Sequence, residues 1–307
     1  MSTSWIAGAV LLALFVIGCL FVGWLFVKRP LEVFAWGTRR SLLRAGLKKT
    51  VVQAPAGPQT VFVGGSGPVM VLLHGAGHQA GTWAQVAHSL AKRYTLVIPD
   101  LAGHGDSAPS TGPIQASDVF GALEAVITAS ARGSRLTVVG NSMGAWMAMV
   151  LAARHPEWVE RVVAVNGGAL LGSNTRVNLL PRTREEARES MAQLRDASSP
   201  AVPDNVLDDL VRQAGTNPLA RLAAAAASMG PWLLGEERLR EMKVPVRLVW
   251  GASDQLMTMD YARKMAALLP DVELIPVERC GHIPQQEAPE RFEIALLKAL
   301  GEAAPAR

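Results

Sequence analysis

Leu136-Thr137-Val138-Val139-Gly140-Asn141-Ser142-Met143-Gly144 is the stretch on which the reading of this chain turns. A short, largely apolar run predicts a buried strand. It ends in two glycines that bracket a serine, and the residues from Met143 to about His155 predict a helix closed by Pro156. Strand, tight turn and helix in that order make a nucleophile elbow, which exposes one serine hydroxyl where a base can reach it. The turn forces Ser142 into strained backbone angles, and a side chain at Gly140 or Gly144 would collide across it.

A serine hydroxyl is a poor nucleophile at neutral pH, so a histidine must take its proton and an acid must hold that histidine in the right tautomer. Downstream, Val246-Arg247-Leu248-Val249-Trp250 reads as a strand running into Gly251-Ala252-Ser253-Asp254. A helix over residues 260–269 and a strand over 272–277 follow, and then Cys280-Gly281-His282. Ser142, Asp254 and His282 thus stand in the chain order that belongs to this elbow. Taken singly, Asp254 reads as a turn residue capping backbone amides and His282 as a loop histidine. Three such residues in order, each beyond a predicted strand, make the triad the stronger reading. Asp260 is the competing acid, at a position where a helix N-cap is expected.

Acyl transfer also needs backbone N–H donors for the oxyanion. The Met143 amide comes with the elbow. The second donor is expected after Val69-Met70-Val71-Leu72-Leu73, in the loop His74-Gly75-Ala76-Gly77, where Ala76 is the candidate.

With these residues in place the chain resembles the α/β-hydrolase superfamily over roughly residues 50–300. Asp100-Leu101-Ala102-Gly103-His104-Gly105-Asp106-Ser107 looks like that family's D-x-x-G-x-G-x-S turn, in which His104 and Asp106 are read as packing or turn residues. The resemblance implies Ser142 as nucleophile, Asp254 as orienting acid, His282 as general base, and Met143 and Ala76 as oxyanion amides. It also implies a doubly wound, mostly parallel sheet, which the alternation of apolar strands and helices supports independently. Dehalogenases and epoxide hydrolases of this fold carry an aspartate at the elbow, so Ser142 speaks against both. C–C hydrolases of ring-fission products share a G-N-S-M-G elbow but carry tryptophan after the catalytic histidine, where this chain has Ile283.

Between Trp5 and Val27 no charged residue occurs over 23 positions, enough to cross a hydrocarbon core of about 30 Å. Met1-Ser2-Thr3-Ser4 lacks the positive start of a cleaved signal peptide, and the apolar run is too long for one. A retained transmembrane helix is the expectation. Lys28, Arg29, Arg39, Arg40, Arg44, Lys48 and Lys49 follow, opposed only by Glu32, which predicts a catalytic domain on the cytoplasmic side. The whole chain carries a net charge of +4, so this segment accounts for its basicity and the remainder is slightly acidic. The basic residues therefore read as a membrane flank able to meet anionic headgroups, not as a nucleic-acid footprint. Cys19 and Cys280 are the two cysteines, too few for a disulfide framework. No metal-ligand spacing or phosphate-cradling loop appears, and no cofactor is expected.

From about residue 168 to 240 the strand alternation stops and helices are expected over 182–195, 204–214 and 219–229. An insertion here is where the superfamily places a cap. The expected plan is an anchor (1–29), a basic juxtamembrane segment (30–49), an α/β-hydrolase core (50–167 and 241–303) and a helical cap (168–240). Trp146, Met147, Met229, Trp232 and Leu233 are candidates for an apolar substrate pocket, with core packing as their alternative role. The whole plan resembles the membrane-anchored monoacylglycerol lipase branch. It implies a serine hydrolase of carboxylic esters acting on monoacylglycerol or a similar single-chain lipid. A short-chain carboxylesterase, a C–C hydrolase and a non-catalytic ligand receptor or scaffold remain open beside it.

Overall fold

Leu136–Asn141, the strand that feeds the elbow, is buried along its whole length because it lies in the middle of an eight-stranded sheet. The strands are β1 (Lys48–Ala54), β2 (Gly57–Gly65), β3 (Val69–Leu73), β4 (Thr95–Pro99), β5 (Leu136–Asn141), β6 (Val159–Val165), β7 (Val246–Gly251) and β8 (Val272–Val277). Their order is β1-β2-β4-β3-β5-β6-β7-β8. β1 runs antiparallel to β2 and β2 to β4, and all other pairs are parallel. The structure, a computed structural model, describes residues 3–130, 135–170 and 176–303. Residues 1–2 of the expected anchor, 131–134 of the expected core and 171–175 of the expected cap lie outside the described residues.

The helices are α1 (Thr3–Lys28), α2 (Pro30–Arg44), α3 (Ala84–Leu90), α4 (Ala116–Ser130), α5 (Met143–Arg154), α6 (Arg184–Leu194), α7 (Asp204–Gln213), α8 (Pro218–Ala223), α9 (Glu236–Arg240), α10 (Met259–Ala266), α11 (Pro284–Glu287) and α12 (Pro289–Leu300). Successive strand residues point to opposite faces, and both faces are covered. On one, Val71, Leu73, Val97 and Val138 pack with α4, α5 and α10. On the other, Met70, Leu72, Leu96 and Ile98 pack with α3, α12 and Leu42 of α2. Burial on both faces is why the parallel strands read as unbroken apolar runs.

Two parts of the fold leave no pattern in the sequence. The β1–β2 hairpin turns through Pro55-Ala56, and β1 is largely exposed, so it shows no alternation. The basic segment after the apolar helix is folded as well. It forms α2 and the start of β1; Arg39 reaches into the hydrolase core, and Lys49 pairs at its surface. Arg39 pairs with Asp100 and Asp106, and Lys49 with Asp106. At most five of the seven basic residues therefore remain for headgroups.

α1 is 26 residues long, or roughly 39 Å at the helical rise. Its window Leu11–Lys28 has a mean hydropathy of 2.4, and no residue of that window is buried. By length and composition it is able to cross a membrane.

Between β6 and β7 the chain carries α6 to α9. Thr183 caps α6 by accepting the Glu186 amide, and the T-x-x-E spacing is that of a capping box. The expected helix over 219–229 is divided: α8 ends at Ala223 and a 3-10 segment, Ala226–Trp232, follows with Pro231 inside it. Proline supplies no backbone donor, which stops a regular helix there. This segment is fastened to the core by Arg221, whose guanidinium donates to the carbonyls of Gly103, Pro109, Thr111 and Gly112.

Candidate active site

Registers bring the site residues together. Leu73 of β3 pairs with Gly140 of β5, Asn141 with Val165 of β6, Val165 with Val249 of β7, and Gly251 with Val277 of β8. The carboxyl ends of these strands therefore lie side by side, the place where open α/β sheets bind ligands. Five loops leave from that edge, carrying His74 to Gly77, Ser142, Asn166, Asp254 and His282.

Ser142 sits at φ 56°, ψ −116°, the strained turn that the elbow requires. An added Cβ on Gly140 would lie 2.1 Å from Gly144 O, and one on Gly144 2.3 Å from Leu73 O. No side chain fits at either place. The Ser142 hydroxyl donates to His282 Nε2 at 2.9 Å, and His282 Nδ1 donates to Asp254 Oδ2 at 2.7 Å. Because a carboxylate only accepts, the imidazole carries its proton on Nδ1 and leaves Nε2 free to accept from the serine. His282 and Asp254 are buried, whereas Ser142 is partly open.

The Asp254 carboxylate accepts three further bonds: Oδ1 from the amides of Leu256 (2.9 Å) and Met257 (3.1 Å), Oδ2 from Asn166 Nδ2 (2.8 Å). Asp260 is set apart from this relay. Its side chain is 89% exposed and pairs with Arg263. The expectation that it caps a helix is corrected as well: Thr258 is the N-cap of α10, because its hydroxyl reaches the Tyr261 amide.

The H-G-A-G loop crosses directly beside the elbow, where a Cβ on Gly75 would stand 3.1 Å from Ser142 Cβ. The Met143 amide opens α5, a position where no intrahelical carbonyl is available to it. Two buried histidines brace the Ala76 peptide from both sides. His74 accepts the Leu101 amide on Nε2 (2.9 Å) and donates Nδ1–H to Gly75 O (2.8 Å). His104 accepts the Gly77 amide on Nε2 (3.1 Å) and donates to Ala102 O (2.9 Å). Burial pushes the pKa of both below that of an ordinary histidine, His104 to about 4. The neutral tautomers that these bonds need are thereby favoured.

The five expected pocket residues divide. Met147 is fully buried and Trp146 nearly so, because every residue of α5 from Met143 to Ala152 is buried between sheet and neighbouring helices. Trp146 Nε1 donates to Trp232 O at 2.9 Å, and Phe120 stacks on Trp232 with ring centres 4.1 Å apart. These two tryptophans seal the 226–232 segment against α4 and α5. Met229 and Leu233 are partly buried against the same core. A groove of about 430 Å³ beside Asp254 is lined by Arg195, Asp196, Ser253 and Thr258 among others, and by none of the five. Its lining includes neither Ser142 nor His282.

Residues 70–295 match the alpha/beta hydrolase family. The chain belongs to that family. An uncharacterized Mycobacterium tuberculosis protein is 30% identical over 258 residues, covering 75% of this chain and 74% of the relative. A 2-hydroxy-6-oxononadienedioate/2-hydroxy-6-oxononatrienedioate hydrolase of Cupriavidus pinatubonensis is 27% identical over 263 residues, covering 78% and 88%. Among solved structures, a membrane phospholipase A described as a bacterial virulence factor superposes with a TM-score of 0.73 at 25% identity. It covers 95% of this chain and 99% of that one. Naproxen esterase of Bacillus subtilis shares the fold at a TM-score of 0.73 and 18% identity, covering 87% and 97%. The hydrolase fold and a hydrolase's enzymatic character thus hold for this alpha/beta hydrolase.

Three contributors leave little or no signal in the sequence. Asn166, at φ 44°, bridges Asp254 and the Gly251 amide, which its Oδ1 accepts at 2.8 Å. Glu287 accepts the amides of Gly281 and Asp196, both at 2.7 Å, and so joins the histidine loop to the chain after α6. Arg39 lies in the segment that reads as a membrane flank. A polar residue just beyond the apolar run of β6 is the only hint that points to Asn166.

Proposed function

We propose that this protein is a membrane-anchored serine hydrolase of carboxylic esters whose substrate is a monoacylglycerol or a similar single-chain lipid. The observation that carries the reading is the hydrogen-bonded relay Ser142–His282–Asp254 at the carboxyl edge of the sheet, in a chain that begins with an unburied apolar helix. Ser142 Oγ attacks the ester carbonyl as its proton passes to His282 Nε2, and the carbonyl electron pair moves onto oxygen. The Met143 and Ala76 amides hold that oxyanion. Collapse breaks the ester C–O bond, with the departing alcohol taking the proton from His282. Water, activated by the same histidine, then releases the acyl group. Asp254 keeps the imidazole oriented throughout.

The lipid assignment is supported by the helical segment over the carboxyl edge and by the likeness to a membrane phospholipase along nearly the whole chain. Five basic residues without a partner in the core favour a cytoplasmic catalytic domain. Hydrolysis measured from acetyl to oleoyl esters, monooleoylglycerol included, in detergent and with Ser142→Ala as blank, tests the reading. Rates rising toward long chains and vanishing in the blank support it; activity confined to short esters removes the lipid substrate. The similarity to ring-fission hydrolases favours C–C cleavage as the second reading, and one vinylogous ring-fission diketone in the same panel decides between them.

A further inference from the structure

The helix after the apolar span is held near its start by α7 and farther along by the loop after β3 and the turn after β4. Near its start the Leu31 amide donates to Asp209 Oδ2 at 3.0 Å, and Glu32 pairs with Arg212 at 3.1 Å; both partners lie on α7. Farther along, Arg39 enters the core. Its Nε donates to Gln79 Oε1 at 3.0 Å, one terminal nitrogen pairs with Asp106 at 2.9 Å, and the other bonds to Asp100, whose side chain has no exposed surface.

These contacts continue into the loop that begins at Gly75. Gln79 Oε1 also accepts the Gly81 amide at 2.7 Å, and its Nε2 donates to Thr38 Oγ1 at 3.2 Å. Asp100 Oδ1 accepts the Ala80 amide at 2.8 Å. Residues 79 to 81 are therefore bonded to α2 directly or through Asp100. The near end of the same loop is braced by His74 and His104, which places the Ala76 peptide between two anchored segments. An oxyanion donor works to the extent that it is fixed beforehand, and a displacement of about 1 Å in a catalytic group can cost on the order of 10²-fold in rate.

We propose that Arg39 and Gln79 are positioning residues through which α2 sets the Ala76 amide, so that the helix continuing from the membrane span is a working part of the active site. The same helix grips α7, so a change in how α2 is seated reaches the oxyanion loop and the segment over the site together. This inference rests on the reading of Ser142 as nucleophile and Ala76 as oxyanion donor.

The test uses full-length protein in detergent with three variants. Arg39→Ala would strip a buried carboxylate of its cation and is at risk of misfolding. Gln79→Leu instead removes the hydrogen-bond node and leaves the ion pair, while Arg39→Lys keeps the charge but loses the forked geometry. Gln79→Glu restores an acceptor for Arg39 and Gly81. Active sites are counted by exhaustive fluorophosphonate labelling. The readouts are kcat, KM and inhibition by an alkyl trifluoromethyl ketone, on which Ser142 Oγ forms a bond to carbon, the carbonyl pair becomes an oxyanion and the proton goes to His282.

The expected result is a fall in kcat of about 10- to 100-fold for Gln79→Leu and Arg39→Lys, with KM within about twofold. The ketone should weaken by the same factor as kcat, and Gln79→Glu should recover most of the loss. Unchanged kcat and ketone affinity per labelled site, whatever happens to the melting temperature, would overturn the proposal and leave the contacts merely structural. A wild-type protein with neither Ser142-dependent turnover nor labelling would instead overturn the hydrolase reading beneath it.

Discussion

Asn166 Nδ2 stands 2.8 Å from Asp254 Oδ2, the same oxygen that accepts His282 Nδ1. The amide therefore shares in aiming the carboxylate at the imidazole, and its own carbonyl is held by the Gly251 amide. Asn166→Ala should lower kcat by about 10- to 100-fold with little change in KM, as expected when an interaction that matters mainly in the transition state is weakened. Steady-state kinetics checks this. Asn166→Asp should be worse, since it sets a second carboxylate against Asp254.

Removing the nucleophile or the base gives the largest effects. Ser142→Ala and His282→Ala are each expected to lose roughly 10⁴-fold or more in turnover, and the double variant about as much as either alone, because the residues act as a unit. Fluorophosphonate labelling should vanish in Ser142→Ala. Near-normal turnover in either single variant would be incompatible with the mechanism.

Acid should unfold this protein through its buried histidines. His104 is held at about 4, and His74 well below its ordinary value, in each case first by burial. Between those values and about 6.5 the unfolded chain binds protons that the folded chain excludes. Stability contributed by these groups is thus fully present above about pH 6.5 and is lost as pH falls toward 4. Urea midpoints measured from pH 7.5 down to 4.5 should decline through this window, and His104→Asn, which keeps an acceptor and a donor, should flatten the decline.

Arg221 ties the segment between β6 and β7 to the loop that follows β4, through four carbonyls. Arg221→Met keeps much of the side chain's bulk but leaves those oxygens unmatched. A loss of about 2–4 kcal/mol is expected from bonds to a charged donor, readable by chemical denaturation. Proteolysis near residues 103–112 should accelerate in parallel.

The elbow is legible in the sequence because strand, glycine turn and helix are neighbours along the chain, and the reason for Gly140 and Gly144 is steric and local. Asp254 and His282 follow because each lies just past a recognisable strand. The apolar span is equally plain, since lipid demands length and lack of charge and nothing subtler. Trp146 and Met147 show where such reading stops. An apolar residue on the helix after the elbow looks the same whether it lines a pocket or fills the core, and it takes the packing of α5 to show that both are buried.

What the sequence by itself determined, then, was the chemistry of single loops: a strained serine, an acid and a histidine beyond strand ends, and an uncharged span of 23 residues. Tertiary structure alone decided which distant groups hold them. Asn166 reaches Asp254 across 88 positions and Arg39 reaches Asp100 across 61. A hydrogen bond between such residues leaves no period and no spacing in the chain. It exists only because the sheet registers bring five loops to one edge and α2 packs against the face behind them.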